Sequence, residues 1–291
     1  MKFGISLPNF GKYASRENIL KTAVLAEDLG YDSLWVSDHI VIPDSHEGFG
    51  HVFLDPITTL GFVAAKTKNI SLGTSVLILP YRNPVVLAKM ISTLDTLSGG
   101  RIIVGAGTGW MRDEFDALGI PFEKRGATTD EYIEVLKELW TRDSPVYKGN
   151  YISFSDIKFL PKPLQEPHPP IWIGGGSERA IERAARYGDG WQPVGLTPEG
   201  IKEKLGYLNK LLDEEKKDNF VVSLRRNLEI NEDKRFPEEE TLRGGPEKII
   251  TGIRDYIEAS VSHFILHILS GDFKDVLKTM ETFSTKIRPA I

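Results

Sequence analysis

Strand-like and helix-like segments alternate eight times along this chain of 291 residues. Lys2–Leu7 and Ser33–Val36 are short and apolar, as buried strands are, and the helical segments Arg16–Leu29 and Pro56–Lys66 follow them. The other pairs of strand and helix are Ile70–Leu79 with Pro84–Leu97, Ile102–Ala106 with Thr129–Trp140, Ile171–Ile173 with Arg179–Tyr187, Gly190–Val194 with Pro198–Lys216, Val221–Ile230 with Pro246–Ala259, and Ser262–Leu269 with Phe273–Lys286. Units of similar size without a central break favour closure over a doubly wound sheet. We therefore predict an α/β fold, a (β/α)8 TIM barrel that forms a single domain over residues 1–291.

Two connections are longer than such a barrel needs, one after strand 2 and one after strand 4. The first, Asp44–Leu54, follows the carboxyl end of a strand, where barrels carry their active sites. Long loops at that face are often functional, so this segment is predicted to be a lid. The second insertion, residues 143–170, holds a predicted hairpin in which Gly149-Asn150 joins Val146–Tyr147 to Tyr151–Phe154.

Composition excludes several classes of function. The net charge of −5 and the lack of a long basic block argue against nucleic acid as a partner. The absence of cysteine removes disulfides, thiolate zinc sites and cysteine nucleophiles. No apolar run reaches the roughly 18 residues of a membrane span, and the N-terminus reads as a strand rather than a signal peptide. We expect a cytoplasmic protein with no membrane partner.

A glycine-rich turn carries the first functional signal. The apolar strand Ile171–Ile173 runs into Gly174, Gly175, Gly176 and Ser177, and a helix follows at once. Glycines allow close approach of backbone N–H groups to a ligand, and a helix N-terminus favours negative charge. The pattern indicates a phosphate site. The alternative is a tight turn in which Ser177 only caps the helix.

The other residues that directly follow the predicted strands suit a planar organic cofactor better than a sugar or a metal ion. They are Asn9 and Phe10, Asp38 and His39, Ser75 to Tyr81, Thr108 to Arg112, Trp191 and Gln192, Arg225 to Asn227, and His267. His39 is the sharpest candidate, because a histidine there can act as an acid or a base near neutral pH. The alternative is a loop histidine that bonds to nearby backbone. His263 and His267 are four residues apart, which favours packing or pocket lining over a metal site, and we predict no metal.

Several motifs in the same order resemble the bacterial luciferase-like monooxygenase superfamily, and in particular its coenzyme F420-dependent branch. The resemblance covers nearly the whole chain. Its motifs are Phe3-Gly4-Ile5, the stretch from Ala26 to His39, Leu72 to Val76, Leu97 to Arg101, Gly105 to Trp110, and Gly188 to Trp191.

The resemblance implies a deazaflavin or flavin at the carboxyl mouth of a TIM barrel. Its phosphate is then expected on the backbone amides of Gly175, Gly176 and Ser177, beside Gly174. The ring is expected against the third strand at Thr74, Ser75 and Val76, where the Ser75–Val76 peptide bond is expected to be cis. By the same resemblance His39 acts in proton transfer or contacts the ring, Asp38 binds the cofactor, and Thr108 binds the cofactor's side chain.

We expect the substrate pocket to be lined by Asn9, Phe10, Trp110 and Trp191. F420-dependent sugar-phosphate dehydrogenases resemble this chain but carry glutamate where Trp110 stands. The missing acid argues against oxidation of a sugar phosphate. Trp110 and Met111 favour a more apolar or aromatic substrate.

The expected function is that of an F420-dependent oxidoreductase, which moves a hydride between the deazaflavin and a small organic substrate. The alternative is an FMN-dependent luciferase-like monooxygenase that uses reduced flavin, O2 and a partner reductase. A third hypothesis is a non-catalytic flavin-binding protein. The resemblance also implies a homodimer.

Overall fold

The computed structural model describes residues 1–44, 46, 50–230 and 241–291, and these residues build a closed barrel of eight parallel strands. The barrel strands are β1 (Lys2–Ser6), β2 (Ser33–Val36), β3 (Ser71–Thr74) with its continuation β4 (Leu77–Ile78), β5 (Ile102–Gly107), β8 (Ile171–Gly174), β9 (Gly190–Gln192), β10 (Val221–Glu229) and β12 (His263–Ile268). Each pairs in parallel with the next, and β12 pairs with β1 to close the barrel. The predicted fold is confirmed.

Helices surround the barrel, and local sequence explains where several of them begin and end. They are α1 (Arg16–Asp28), α2 (Pro56–Ala64), α3 (Pro84–Ser98), α4 (Arg112–Ala117), α5 (Arg125–Thr141), α6 (Glu178–Tyr187), α7 (Pro198–Glu215), α8 (Pro246–Glu258) and α9 (Phe273–Thr282). The side chain of Asn83 caps α3, Pro84 occupies its first turn, and Gly99 ends it in the left-handed conformation. Apolar faces of these helices pack on the outward faces of the strands to form the main core.

The interior of the barrel is filled by an aromatic cluster. The rings of Trp35 and Trp172 stack with their centres 5.1 Å apart, and His263 meets both edge-on. Ser33 Oγ accepts a hydrogen bond from Trp35 Nε1 at 2.7 Å and lies 2.8 Å from His263 Nε2. Gly73 on β3 leaves room for Trp35, because a Cβ at this position would collide with the indole. This aromatic plug fills the interior, so a ligand that enters where the strands finish reaches no deeper than these rings.

The structure corrects several predicted segments. The predicted strand Ile70–Leu79 is broken between β3 and β4 at Ser75 and Val76. Helix α4 and strand β11 (Thr241–Arg243), which pairs in parallel with β10, were not predicted. Helix α5 begins at Arg125, four residues before the predicted start, and no side-chain cap marks its beginning.

The two insertions lie at opposite ends of the barrel. Asp44–Leu54 lies in the connection that leaves the carboxyl end of β2, although residues 45 and 47–49 are outside the described part of the chain. Residues 143–170 connect α5 to β8 and therefore lie at the end where strands begin. The predicted hairpin in this insertion is confirmed, with β6 (Tyr147–Lys148) antiparallel to β7 (Ser153–Phe154).

Among the described residues, no helix combines the length and the hydropathy that crossing a membrane would require.

Candidate active site

A buried carboxylate holds His39 at the mouth of the barrel. His39 Nδ1 lies 2.8 Å from Oε2 of Glu114, whose side chain has no exposed surface. The same oxygen accepts a hydrogen bond from the Tyr81 hydroxyl at 2.8 Å, and Oε1 accepts from the N–H groups of Ile40 (2.6 Å) and Val41 (3.2 Å). The loop after β2 is thereby tied to α4, and the orientation of the imidazole is fixed.

The electrostatics of this cluster determine which nitrogen of His39 carries the proton. Burial alone would raise the pKa of Glu114, but the hydrogen bonds from His39, Ile40 and Tyr81 outweigh it and hold this pKa below its usual value. Burial, and then the adjacent carboxylate, raise the pKa of Tyr81. Glu114 is therefore ionised at neutral pH and can only accept, so Nδ1 of His39 is the protonated nitrogen in this pair. Nε2 is then the atom suited to exchange a proton with a ligand.

Glu114 is not among the residues predicted for the site, although the sequence carries a signal for it. Met111, Glu114, Phe115 and Leu118 recur at the spacing of one helix face, and the first three are buried. An acid on the apolar face of a short helix has to find partners inside the protein. Arg112, Asp113 and Asp116 around it obscured that pattern. Met111, expected to influence the substrate, is 2% exposed and belongs to this packed face.

Asp38 organises the chain that follows the break in the third strand. Its two oxygens accept from the guanidinium of Arg82 at 2.7 and 2.9 Å, and one also accepts from the Ile78 N–H at 2.9 Å. Arg82 continues to Asp55 at 3.1 Å. The side chain of Asp38 has no exposed surface, so its geometry indicates a positioning role. Direct contact between Asp38 and a cofactor stays a prediction that this arrangement does not favour.

Val76 lies over a group of glycines at the barrel mouth. The Ser75–Val76 peptide bond is cis, as expected. A Cβ at Gly107 would lie 2.5 Å from one methyl group of Val76, and a Cβ at Gly174 would lie 2.8 Å from the other. Glycine is therefore needed on both β5 and β8 beneath this side chain. The shared contact also brings the third strand next to the beginning of the glycine-rich turn.

The glycine-rich turn offers two of the three predicted amides. Gly175 has φ of +120°, a conformation that strongly favours glycine, but its N–H donates to the carbonyl of Gln192 at 3.0 Å. The N–H groups of Gly176 and Ser177 donate to no acceptor in the described part of the chain. Ser177 caps α6 by accepting from the Ala180 N–H at 3.2 Å, and its own O–H still has a proton to donate. Ser177 can therefore cap α6 and donate a hydrogen bond to a phosphate at the same time.

Two of the predicted pocket residues lie at the mouth and two do not. Phe10 stacks on Phe53 with ring centres 5.1 Å apart, and Phe53 in turn meets His39 at 5.0 Å. Trp110 is 53% exposed and its ring lies 6.1 Å from that of His39. Asn9 is fully buried, where its amide bonds to the backbone of the connection after β2.

Trp191 is the other correction, and strand periodicity explains it. Trp191 points outward into the main core and donates from Nε1 to the Gly175 carbonyl at 2.7 Å. Successive strand residues face opposite sides, so the neighbouring Gln192 points inward. There its Oε1 accepts from the Ser75 hydroxyl across the barrel at 2.8 Å.

The predicted cofactor residues Thr74 and Thr108 lie at the same end of the barrel. Thr74 is buried, and its hydroxyl donates to the carbonyl of Gly105 on the neighbouring strand at 2.7 Å. Thr108 is half-buried. A cavity of about 260 Å³ lies where β1 and β12 end, with Phe10 and His267 in its wall. In the described part of the chain no three His, Asp or Glu side chains are grouped as metal ligands.

Comparison with known proteins identifies the family. The profile of the luciferase-like monooxygenases matches residues 1–235. The chain belongs to this family. The expected membership is thereby confirmed.

Relatives within the family use different cofactors. The chain is 38% identical over 178 residues to an F420-dependent glucose-6-phosphate dehydrogenase of Amycolatopsis mediterranei, a match that covers 60% of this chain and 52% of the relative. It is 35% identical over 154 residues to an FMNH2-dependent dimethylsulfone monooxygenase of Pseudomonas putida, covering 52% of this chain and 42% of that one. The chain thus matches only about half the length of these curated relatives.

A solved structure confirms the same architecture. An F420-dependent secondary alcohol dehydrogenase in complex with an F420-acetone adduct superposes with a TM-score of 0.86, covering 100% of this chain and 99% of that one at 22% identity. At this identity the similarity shows the fold. The family is one of oxidoreductases.

Proposed function

We propose that the chain is an F420-dependent oxidoreductase that transfers a hydride between the deazaflavin and an organic substrate. The observation that carries the proposal is the buried Glu114–His39 pair, which presents an acid–base group at the barrel mouth. The break at Ser75 and Val76 and the two available amides at Gly176 and Ser177 lie around the same mouth. The similarity to F420-dependent dehydrogenases supports this choice of cofactor.

The residues present fit a phosphorylated, ring-bearing cofactor. Gly176 and Ser177 would hold its phosphate through backbone N–H groups at the start of α6, where the helix dipole favours an anion. Val76, raised over Gly107 and Gly174, would support the ring. When bound, F420 supplies a carbon centre that accepts or releases a hydride.

The protein's own part of the chemistry is proton movement and shielding. When a substrate alcohol is oxidised, its O–H proton has to leave, and His39 Nε2 would receive it. Ionised Glu114 would stabilise the imidazolium that results. Phe53 and Trp110 flank the imidazole and would exclude water from it.

A fluorescence titration of the purified protein with F420 and with FMN tests the proposal. We expect tighter binding of F420, and weaker binding, by about tenfold or more, of a deazaflavin that lacks the phosphate. Ser177→Ala should weaken binding of F420 but not binding of the deazaflavin that lacks the phosphate. Ser15→Ala is the matched control, because Ser15 caps α1 in the same way but does not belong to the glycine-rich turn. Much tighter binding of FMN than of F420 would refute the cofactor assignment.

The second candidate is an FMN-dependent monooxygenase that receives reduced flavin from a partner reductase. The similarity to the dimethylsulfone monooxygenase favours it, and the same turn and barrel would serve. Oxygen consumption with reduced FMN and a candidate substrate would support this function. In either case, loss of turnover in His39→Ala with cofactor binding retained would rule out the non-catalytic hypothesis.

The homodimer is also a proposal. Val86, Met90 and Leu97 of α3 are 57%, 39% and 76% exposed, and their spacing places them on one face of the helix. Exposed apolar faces of this kind mark interaction surfaces. A second copy of the chain is the partner that we propose for it.

A further inference from the structure

The guanidinium of Arg225 lies at the barrel mouth with no acidic partner in the described part of the chain. Its Nη1 donates a hydrogen bond to Ser37 Oγ at 2.9 Å, and its Cζ lies 5.7 Å from the centre of the Phe10 ring. Burial lowers the pKa of Arg225 to about 10, which leaves the side chain cationic at neutral pH. Arg225 is half-buried, and a cation partly withdrawn from water is stabilised when an anion compensates it.

Two further donors lie on the strands that flank Arg225. His267 on β12 and Gln192 on β9 each have a buried nitrogen, Nδ1 and Nε2 respectively, without a hydrogen-bond partner in the described residues. Burial, and then the charge of Arg225, lower the pKa of His267 to about 3. The imidazole is therefore neutral and has one N–H to donate, while the Gln192 amide nitrogen has two.

All three side chains point into the barrel. Arg225 and Gln192 bond across it, to Ser37 after β2 and to Ser75 after β3. His267 lies two residues after Ile265, which packs with the tryptophans of the plug. The inward surface of β9, β10 and β12 thus presents a cation and two N–H donors, a set suited to an acceptor-rich ligand.

We propose that Arg225, His267 and Gln192 form a subsite for the carboxylate of an organic acid substrate. This inference rests on the proposed function, because it gives the substrate class of the same site. A planar guanidinium matches a carboxylate in two parallel hydrogen bonds. The cofactor's phosphate already has its own donors at the glycine-rich turn, on a different strand, so the Arg225 subsite is left for the substrate.

The path from Arg225 to His39 defines the rest of the substrate. Ser37, which bonds to Arg225, lies two residues before His39 on the same connection. The rings of Phe10 and Phe53 fill the distance between Arg225 and the imidazole. An apolar or aromatic body would pack along these rings, with its carboxylate on Arg225 and its reacting carbon near His39.

Calorimetric titration with benzoate and with its neutral analogue benzamide tests the subsite, on both cofactor-free and cofactor-loaded protein. We expect wild type to bind benzoate at least about tenfold more tightly than benzamide. Arg225→Gln should abolish this preference and Arg225→Lys should restore part of it. Arg112→Gln is the matched control, because it removes an exposed cation paired with Glu123 near the same face. It should retain the preference, and thermal unfolding should show that each variant is folded.

Three results of the binding experiment would overturn the carboxylate subsite. They are equal affinity for the two probes, binding of neither in the millimolar range, and equal effects of Arg225→Gln and Arg112→Gln. If Arg225→Gln changes the midpoint potential of the bound cofactor but not benzoate affinity, Arg225 faces the reduced ring and the proposal is also wrong. Failure of F420 and FMN to bind, with the benzoate preference intact, would refute the proposed function and leave the subsite standing.

Discussion

Substitution of Glu114 by glutamine tests whether this buried acid sets the chemistry of His39. The N–H groups of Ile40 and Val41 can only donate, so they would keep the carbonyl oxygen of the new amide. Its NH2 group would then face His39 Nδ1 and the Tyr81 hydroxyl. Tyr81 can rotate its hydroxyl to accept. His39 can avoid two opposed donors only by moving its proton from Nδ1 to Nε2.

The expected consequence is loss of the base at Nε2. By analogy with other histidines held in the wrong tautomer, turnover should fall by about 10²–10⁴-fold. Four hydrogen bonds to a charged acceptor, worth about 1.5–3 kcal/mol each, become neutral bonds worth about 0.5–1.5 kcal/mol each. Since a neutral amide is also less costly to bury, we expect a net loss of about 1–3 kcal/mol of unfolding free energy. Cofactor affinity should change little.

The assay does not require the substrate. Nitrogen-15 NMR of labelled histidine distinguishes the two tautomers, so wild type should show Nδ1 of His39 protonated and Glu114→Gln should show Nε2 protonated. Tyr81→Phe is the control, because it removes one bond to Glu114 and retains the pair with His39. The same tautomer in wild type and Glu114→Gln would refute the reasoning. So would additive losses of turnover in the double variant with His39→Ala, since residues that act as a unit are not additive.

Three other predictions address packing, pH and assembly. Gly107→Ala should cost about 1–3 kcal/mol because its Cβ would meet Val76. Adding Val76→Ala to Gly107→Ala should restore that stability. Adding Val76→Ala to Gly105→Ala should not, because the Cβ at Gly105 would collide with a backbone carbonyl. Equal recovery of stability in the two double variants, measured by urea unfolding, would contradict this. Burial, and then the charge of Lys2, lower the pKa of His263 to about 3. The neutral imidazole therefore contributes fully to stability above pH 6.5, and the free energy of unfolding should fall by about 2 kcal/mol between that pH and pH 5. If His263→Gln loses as much stability between pH 7 and pH 5 as wild type does, this prediction is wrong. Leu97→Glu should halve the mass measured by light scattering, and an unchanged mass would exclude the α3 face as the dimer contact.

The fold was predictable because eight units repeat one local pattern. Apolar strands, capped helices and glycine stops are written within a few residues of each other, so the barrel followed from local signals. Strand β11 and helix α4 are short and carry few such signals. The start of α5 was misplaced because neither a side-chain cap nor a proline marks it.

The positions of candidate site residues at the barrel mouth were predictable where a residue follows a strand directly. The glycine-rich turn, His39 and Phe10 are of this kind. Trp191 was wrongly placed in the pocket because neighbouring residues of a strand point to opposite sides of the barrel wall. The sequence did not predict the end of β9 to within one residue. Glu114 was missed because its partner is 75 residues away in the chain, a contact that only the folded barrel creates.

The distribution of polar atoms inside the barrel explains why one end of it can carry function. Below, Ser33 and His263 satisfy each other within the tryptophan plug. Above, the described residues include buried polar atoms without partners on Gln192 and His267, while a third, on Ser223, lies in register with His263 at the level of the plug. Native interiors rarely leave such atoms unsatisfied unless a ligand or ordered water completes them. A ligand that offers acceptors to Gln192 and His267 would approach through the mouth, past His39 and Phe53. The plug therefore limits the depth of the candidate site, and the polar side chains above the plug determine its polarity.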